Sequence, residues 1–183
     1  MSVFLVIGFM GLTQAKAFTV DLGLFYLTDA LSASTDTTSA KTIYDLAVYL
    51  DLTKKGQYIL GWRYGSYSTV DSTGTEVTYS LTDMGPSFGY YFDKSKNWVI
   101  LLTYNIVVNG ALKTGATDVT WRGSSIKAQA GYTVPFTESL NLGAHLNYHS
   151  STFNEQLSGT TTFSTVSYTK VLIYPSFQMS YRF

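Results

Sequence analysis

Between Phe18 and Phe183, bulky apolar residues recur at every second position in eight separate stretches. Few patterns restrict a chain so strongly. A period of two belongs to an extended strand, whose successive side chains point to opposite faces. The stretch Leu140 to His149 is the clearest: Leu140, Leu142, Ala144, Leu146 and Tyr148 share one face, and Asn141, Gly143, His145, Asn147 and His149 the other. The remaining seven run from Phe18 to Tyr26, Ile43 to Leu52, Tyr58 to Tyr67, Asp83 to Phe92, Trp98 to Val108, Ser125 to Val134 and Tyr168 to Phe183. In the fifth, Ile100, Leu102, Tyr104 and Ile106 stand against Thr103, Asn105 and Asn109. The expected fold class is all-β with eight antiparallel strands.

Alternation alone also suits a soluble sandwich or a lipocalin-like barrel. Two features decide between these and a membrane barrel. The polar face holds the small and charged residues while the apolar face holds the bulky ones, the reverse of a soluble barrel that keeps its bulk inside. The gaps also alternate in length. Thr53 to Gln57, Asp93 to Asn97 and Pro135 to Ser139 are short, whereas Thr28 to Thr42, Ser68 to Thr75, Gly110 to Asp118 and Ser150 to Val166 are long and rich in Thr, Ser, Gly and Asp. Short periplasmic turns and long external loops are the pattern of an outer-membrane, up-and-down transmembrane β-barrel. An even strand count puts both termini on the periplasmic side.

Composition excludes other classes. Twelve basic and twelve acidic residues cancel, leaving no basic face for nucleic acid. A mean hydropathy of +0.08 is too low for a bundle of membrane helices. Fifteen Tyr suit strands, and the absence of Cys removes disulfides and thiolate metal sites. No cofactor is expected. At the N-terminus, the apolar run Val3 to Leu12 is followed by Ala15-Lys16-Ala17, with small residues where a signal peptidase reads. That run is too short to span a bilayer and fits a signal peptide over residues 1–17, although Met1-Ser2 carries no Lys or Arg. A retained buried or interfacial helix is the alternative. The barrel domain then occupies residues 18–183.

Phe177, Met179, Tyr181 and Phe183 alternate up to the last residue. This resembles the C-terminal aromatic signal by which Gram-negative outer-membrane proteins are recognised by the barrel-assembly machinery. From Phe18 to Phe183 the chain is similar to the small eight-stranded barrels typified by the membrane domain of outer-membrane protein A. The resemblance is one of architecture and terminus. It implies no peptidoglycan anchoring, since the sequence stops at the last strand. Aromatic girdles give an internal check: Phe18, Tyr58, Tyr90, Phe92, Trp98, Tyr132, Phe136, Tyr181 and Phe183 fall at the expected periplasmic ends of strands, and Tyr26, Tyr44, Trp62, Tyr64 and Tyr148 towards the external ends.

An eight-stranded barrel is just wide enough for side chains to fill. The inward parity collects Asp21, Asp45, Asp51 and Asp83 with Arg63, Lys127, Lys170 and Arg182. Four acids and four bases in so confined a space are expected to pair, because unpaired buried charge is costly. Arg182 should lie near Asp21 and Asp51, and Asp83, Lys127 and Arg63 should meet near the middle. A structural plug is favoured over a selectivity filter, since aqueous channels need more strands.

Candidates for chemistry are sparse. His145 and His149 lie about 13 Å apart on a strand, too far for one metal ion. His149 and Ser151 form a His-x-Ser pair that faintly resembles the lipid A deacylases, small outer-membrane barrels using His, Ser and Glu. Those keep their catalytic groups on the lipid-facing wall, whereas parity sends His149 inward. Thr152 stands where the family has Asn, and Glu155 is too close to lie on the next strand. On the outer wall Ala128, Ala130 and Ala144 interrupt a bulky face, and small residues allow close approach of another surface. The leading expectation is a non-enzymatic barrel with a plugged polar lumen, a role in envelope integrity and exposed Ser/Thr-rich loops. A self-associating, homo-oligomeric ring that binds or encloses outer-membrane lipid is the alternative, and a lipid A acyl-ester hydrolase the third.

Overall fold

The computed structural model describes residues 18–31, 37–53, 55–71, 76–115, 117–159 and 162–183. The signal-peptide expectation over residues 1–17 lies outside them. Eight strands follow one another: β1 (Phe18–Leu31), β2 (Thr37–Asp51), β3 (Tyr58–Asp71), β4 (Val77–Tyr91), β5 (Trp98–Thr114), β6 (Thr117–Pro135), β7 (Leu140–Ser158) and β8 (Ser164–Arg182). Each pairs antiparallel with the next, and β8 returns to β1, closing the barrel. The three short gaps become the turns at the end that carries Phe18 and Phe183, called here the near end.

The far end departs from the sequence reading. Within the stretches 28–42, 68–75, 110–118 and 150–166, expected as long loops, the described residues are largely strand. β5 runs to Thr114 and β6 resumes at Thr117, so that hairpin turns within two residues, through Gly115 at φ 52°. Roughly 9–11 residues suffice to cross a bilayer as a tilted strand, yet β6, β7 and β8 have 19 each. The ladder therefore continues well beyond an apolar belt. Thr and Ser hold a backbone ladder as readily as Val does, but with polar residues on both faces they leave no alternation to read.

The wall is turned inside out relative to a soluble protein. Leu102 is 53% exposed and Leu146 60%, whereas Arg63 and Lys127 are 1% and 0% exposed. Near the near end, the outward rings meet in a chain. Phe18 stacks on Phe183 at 4.2 Å, Tyr58 lies 4.9 Å from Tyr90, Tyr90 5.1 Å from Phe92, and Trp98 4.8 Å from Tyr132.

One inward assignment changes. Ile106 and Val107 both face outward, and Val108 is buried, so β5 carries a β-bulge between Asn105 and Val108. The extra residue reverses parity beyond it and turns Asn109, expected inside, to the outside. The bulge lies opposite Gly85 and Pro86 of β4, where proline has no N–H to give the ladder.

Closure between β1 and β8 is partial. Pairing runs only from Thr19↔Arg182 to Leu24↔Phe177, reinforced by the Phe183 N–H donating to the Phe18 carbonyl at 2.9 Å. Among the described residues, β1 beyond Leu24 pairs with β2 alone, and β8 before Phe177 with β7 alone. Pro175 sits at the start of the opening. A disulfide needs Cα atoms within about 4.4–6.8 Å. Leu22→Cys with Met179→Cys, a paired position, should therefore oxidise readily, while Tyr26→Cys with Pro175→Cys should not. Equal cross-linking of the two pairs, read on non-reducing gels, would mean that the seam is closed along its length.

Candidate functional site

Midway along the lumen, inward side chains from six strands, β2 to β7, form one buried polar layer. Arg63 of β3 stands at its centre. It donates from Nη1 to Asp83 Oδ1 at 3.0 Å, from Nη2 to Tyr67 Oη at 2.6 Å, and from Nη2 to Asp45. Lys127 of β6 binds the other oxygen of Asp45. Asp83 Oδ2 accepts from Asn105 Nδ2 at 2.8 Å and Ser125 Oγ at 3.0 Å, and lies 2.8 Å from His149 Nε2. The His149 ring stacks on Tyr67 at 4.8 Å. A guanidinium suits this position because its planar fork can serve two carboxylates at once. Gly65 makes the room: a Cβ there would fall 2.5 Å from Asp83 Oδ1 and closer still to the guanidinium.

Two acids, Asp45 and Asp83, thus face two bases, Arg63 and Lys127. Apolar clusters flank the layer on both sides. Towards the far end lie Ile43, Tyr67, Leu81, Val108, Phe153 and Tyr174, and towards the near end Ala47, Tyr49, Ile59, Tyr91, Val99 and Leu101. The sequence reading did not foresee these clusters. Their signal was present, because Tyr49, Tyr91 and Leu101 occupy the polar parity of their strands, but bulk on the polar face does not disturb the alternation of the other.

No protein-family model and no curated protein matches this sequence. Among solved structures, the crystal structure of Neisserial surface protein A aligns with a TM-score of 0.55 at 14% identity, over 91% of this chain and 96% of that one. The fold is that of a small outer-membrane β-barrel.

Within this barrel, the remaining inward charges are placed separately. Asp51 is bridged at 3.2 Å by Lys96, from the β4–β5 turn, and not by Arg182. The Lys96 side chain crosses Gly56 to reach it. A Cβ at Gly56 would collide with both partners, and its φ of 60° is itself a glycine conformation. Arg182 lies 5.9 Å from the centre of the Tyr91 ring and within electrostatic reach of Asp21, which faces Ser180 across the β1–β8 pairing. Lys170 lies outside the central layer, near the far mouth, with its ammonium 3.1 Å over the Tyr79 ring. Lys96 was missed because parity describes strands, and a long side chain reaching in from a turn has none.

The histidines do not converge. His145 packs against Gly131 and faces Ser176 on β8, two positions from His149 in the inward row. Among the described residues no three His, Asp or Glu side chains gather as metal ligands. Ser151 Oγ and Asp83 Oδ2 both approach the same nitrogen of His149, at 3.3 and 2.8 Å. A hydrolytic triad needs its carboxylate on the opposite ring nitrogen from the nucleophile, so that the base is oriented while its other nitrogen takes the proton. That wiring is missing here, and the group is enclosed in the lumen.

Proposed function

We propose that the chain is a non-enzymatic outer-membrane barrel with a closed lumen, which contributes to envelope integrity and displays its far-end hairpins outside the cell. One observation supports this reading: the buried Arg63–Asp45–Asp83–Lys127 layer links strands across the lumen and has an apolar cluster on either side. Pairing explains the charges without a conduction role, and the enclosed His149 has no route to a lipid ester on the outer wall. Both termini then lie in the periplasm, residues 1–17 are the removed signal peptide, and Phe177, Met179, Tyr181 and Phe183 are read by the barrel-assembly machinery. The Phe18–Phe183 stack gives that terminal residue a second task, clasping the first strand to the last. In planar bilayers the purified barrel should give no resolved current steps, and cells lacking it should become sensitive to bile salts. Ohmic steps from the unaltered protein would replace the plug with a pore.

A second reading has its own observation. Ala128 and Ala130 lie opposite Tyr148 and Leu146, and Ala144 opposite Tyr132, so each small residue is paired with a bulky one and would leave a notch in the outer wall. Another copy seated in that notch would build a homo-oligomeric ring able to enclose membrane lipid. Native mass measured at low detergent separates the readings. A ring should dissociate on Ala130→Phe, whereas a strictly monomeric mass for the unaltered chain removes it.

A further inference from the structure

We propose that the far mouth of the barrel binds a single-chain acyl anion, with the chain in an aromatic cup and the carboxylate beside Lys170. The inference rests on the membrane placement proposed above and adds a ligand to it. Tyr79, Trp121, Phe153, Tyr168, Thr169 and Lys170 surround a cavity of about 160 Å³. Its floor is made of rings, with Tyr79 6.3 Å and Phe153 5.9 Å from the indole of Trp121. The indole N–H is already engaged, donating to Gln156 Oε1 at 3.0 Å, so Trp121 offers the cavity carbon. Apolar walls of this kind accept methylene groups. A cavity well below the roughly 300–1,000 Å³ that encloses a whole small molecule fits part of a chain rather than a compact ligand.

Charge chooses the head group. An aromatic cage would ordinarily attract a cation, but Lys170 already covers the Tyr79 face, at 3.1 Å. A second ammonium, that of Lys41 on β2, lies within electrostatic reach of Lys170. Two like charges at one mouth repel an incoming cation and draw an anion. The wall also offers a route in. Beyond Leu24 and Phe177 the β1–β8 seam is unpaired, so a chain lying in the adjoining leaflet meets two free strand edges and not a closed ladder. Phe25, on the β1 side of that seam, packs 5.7 Å from Tyr174 of β8 and continues the apolar lining inward.

The test uses the chain with Trp62→Phe and Trp98→Phe, which leaves Trp121 as its one indole, inserted in nanodiscs of saturated phosphatidylcholine. Titration with 11-bromoundecanoate should quench Trp121 saturably. Lys170→Gln should raise the half-saturation concentration about tenfold or more, the loss expected for a charge-assisted contact, and the uncharged 11-bromoundecanol should bind as weakly as that variant does the acid. Tyr168→Ala, at the exposed rim, should weaken the acid and the alcohol alike. Quenching that rises linearly with probe and is unchanged by Lys170→Gln is bilayer partition alone and overturns the site. If the tryptophan variant does not assemble, calorimetry of undecanoate with the otherwise unaltered chain, against Lys170→Gln, gives the same comparison. Heat-modifiable migration on gels is recorded alongside. A chain that never forms a heat-stable barrel in lipid defeats the membrane placement, whereas an intact barrel without saturable binding defeats the site alone.

Discussion

Replacing Arg63 with alanine should lower the stability of the barrel by about 3–5 kcal/mol, the cost of stranding a buried charge by removing its partner. Two carboxylates depend on this one group: Asp45 and Asp83 both take hydrogen bonds from it, and its side chain is 1% exposed. Alanine would leave Asp45 with Lys127 and Tyr174 alone, and Asp83 with Asn105, Ser125 and His149. Lysine should not substitute, since a single ammonium cannot serve both carboxylates from one position. Adding Asp45→Asn and Asp83→Asn to the alanine variant should recover part of the loss, because the charges left behind are then gone. Urea unfolding in lipid vesicles gives the measurement. A loss within about 1 kcal/mol, the range of an exposed ion pair, would mean that this layer is hydrated and open, and the plug would go with it.

The second large effect is on the other side of the wall. Leu102→Arg should cost about 2–4 kcal/mol, the penalty for a cation near the bilayer midplane on the lipid face of a barrel. Leu102 lies four residues along β5 from Trp98 in the near-end girdle, and its side chain is 53% exposed. In a water-soluble barrel the same substitution at an exposed leucine would change stability by less than about 0.5 kcal/mol. Refolding into lipid vesicles, followed by heat-modifiable migration and by urea titration, tells the two apart. A neutral outcome would show that the greasy belt does not meet acyl chains.

Parity was a dependable guide wherever one face was apolar and the other polar. Along β7 every expected inward residue from His145 to His149 is buried, and Leu146 and Tyr148 are exposed. The guide failed in three kinds of place, each for a physical reason. Past the bulge at Ile106 and Val107 one extra residue inverted the count and sent Asn109 out. In the far-end ladder the two faces are equally polar, so paired strand resembled loop. At the near rim Lys96 enters from a turn, where no period exists.

The order of residues alone determined the number of strands, their direction and, short of the bulge in β5, the side of the wall on which the strand residues stand, because side-chain direction in an extended chain follows from position by a period of two. It brought Arg63, Asp83 and Lys127 to one level and Arg182 near Asp21, but it did not place Asp45 in the central layer or pair Asp51 with Lys96. Asp45, Arg63, Asp83 and Lys127 meet because strand stagger brings four distant positions to one level of the lumen, and stagger is a property of the closed barrel. The same closure decided that Asp51 would meet Lys96 and that Lys170 would stand over Tyr79. It also left the β1–β8 seam paired only as far as Leu24 and Phe177. Contacts across a barrel depend on distances between strands, and these exist only once the last strand has found the first.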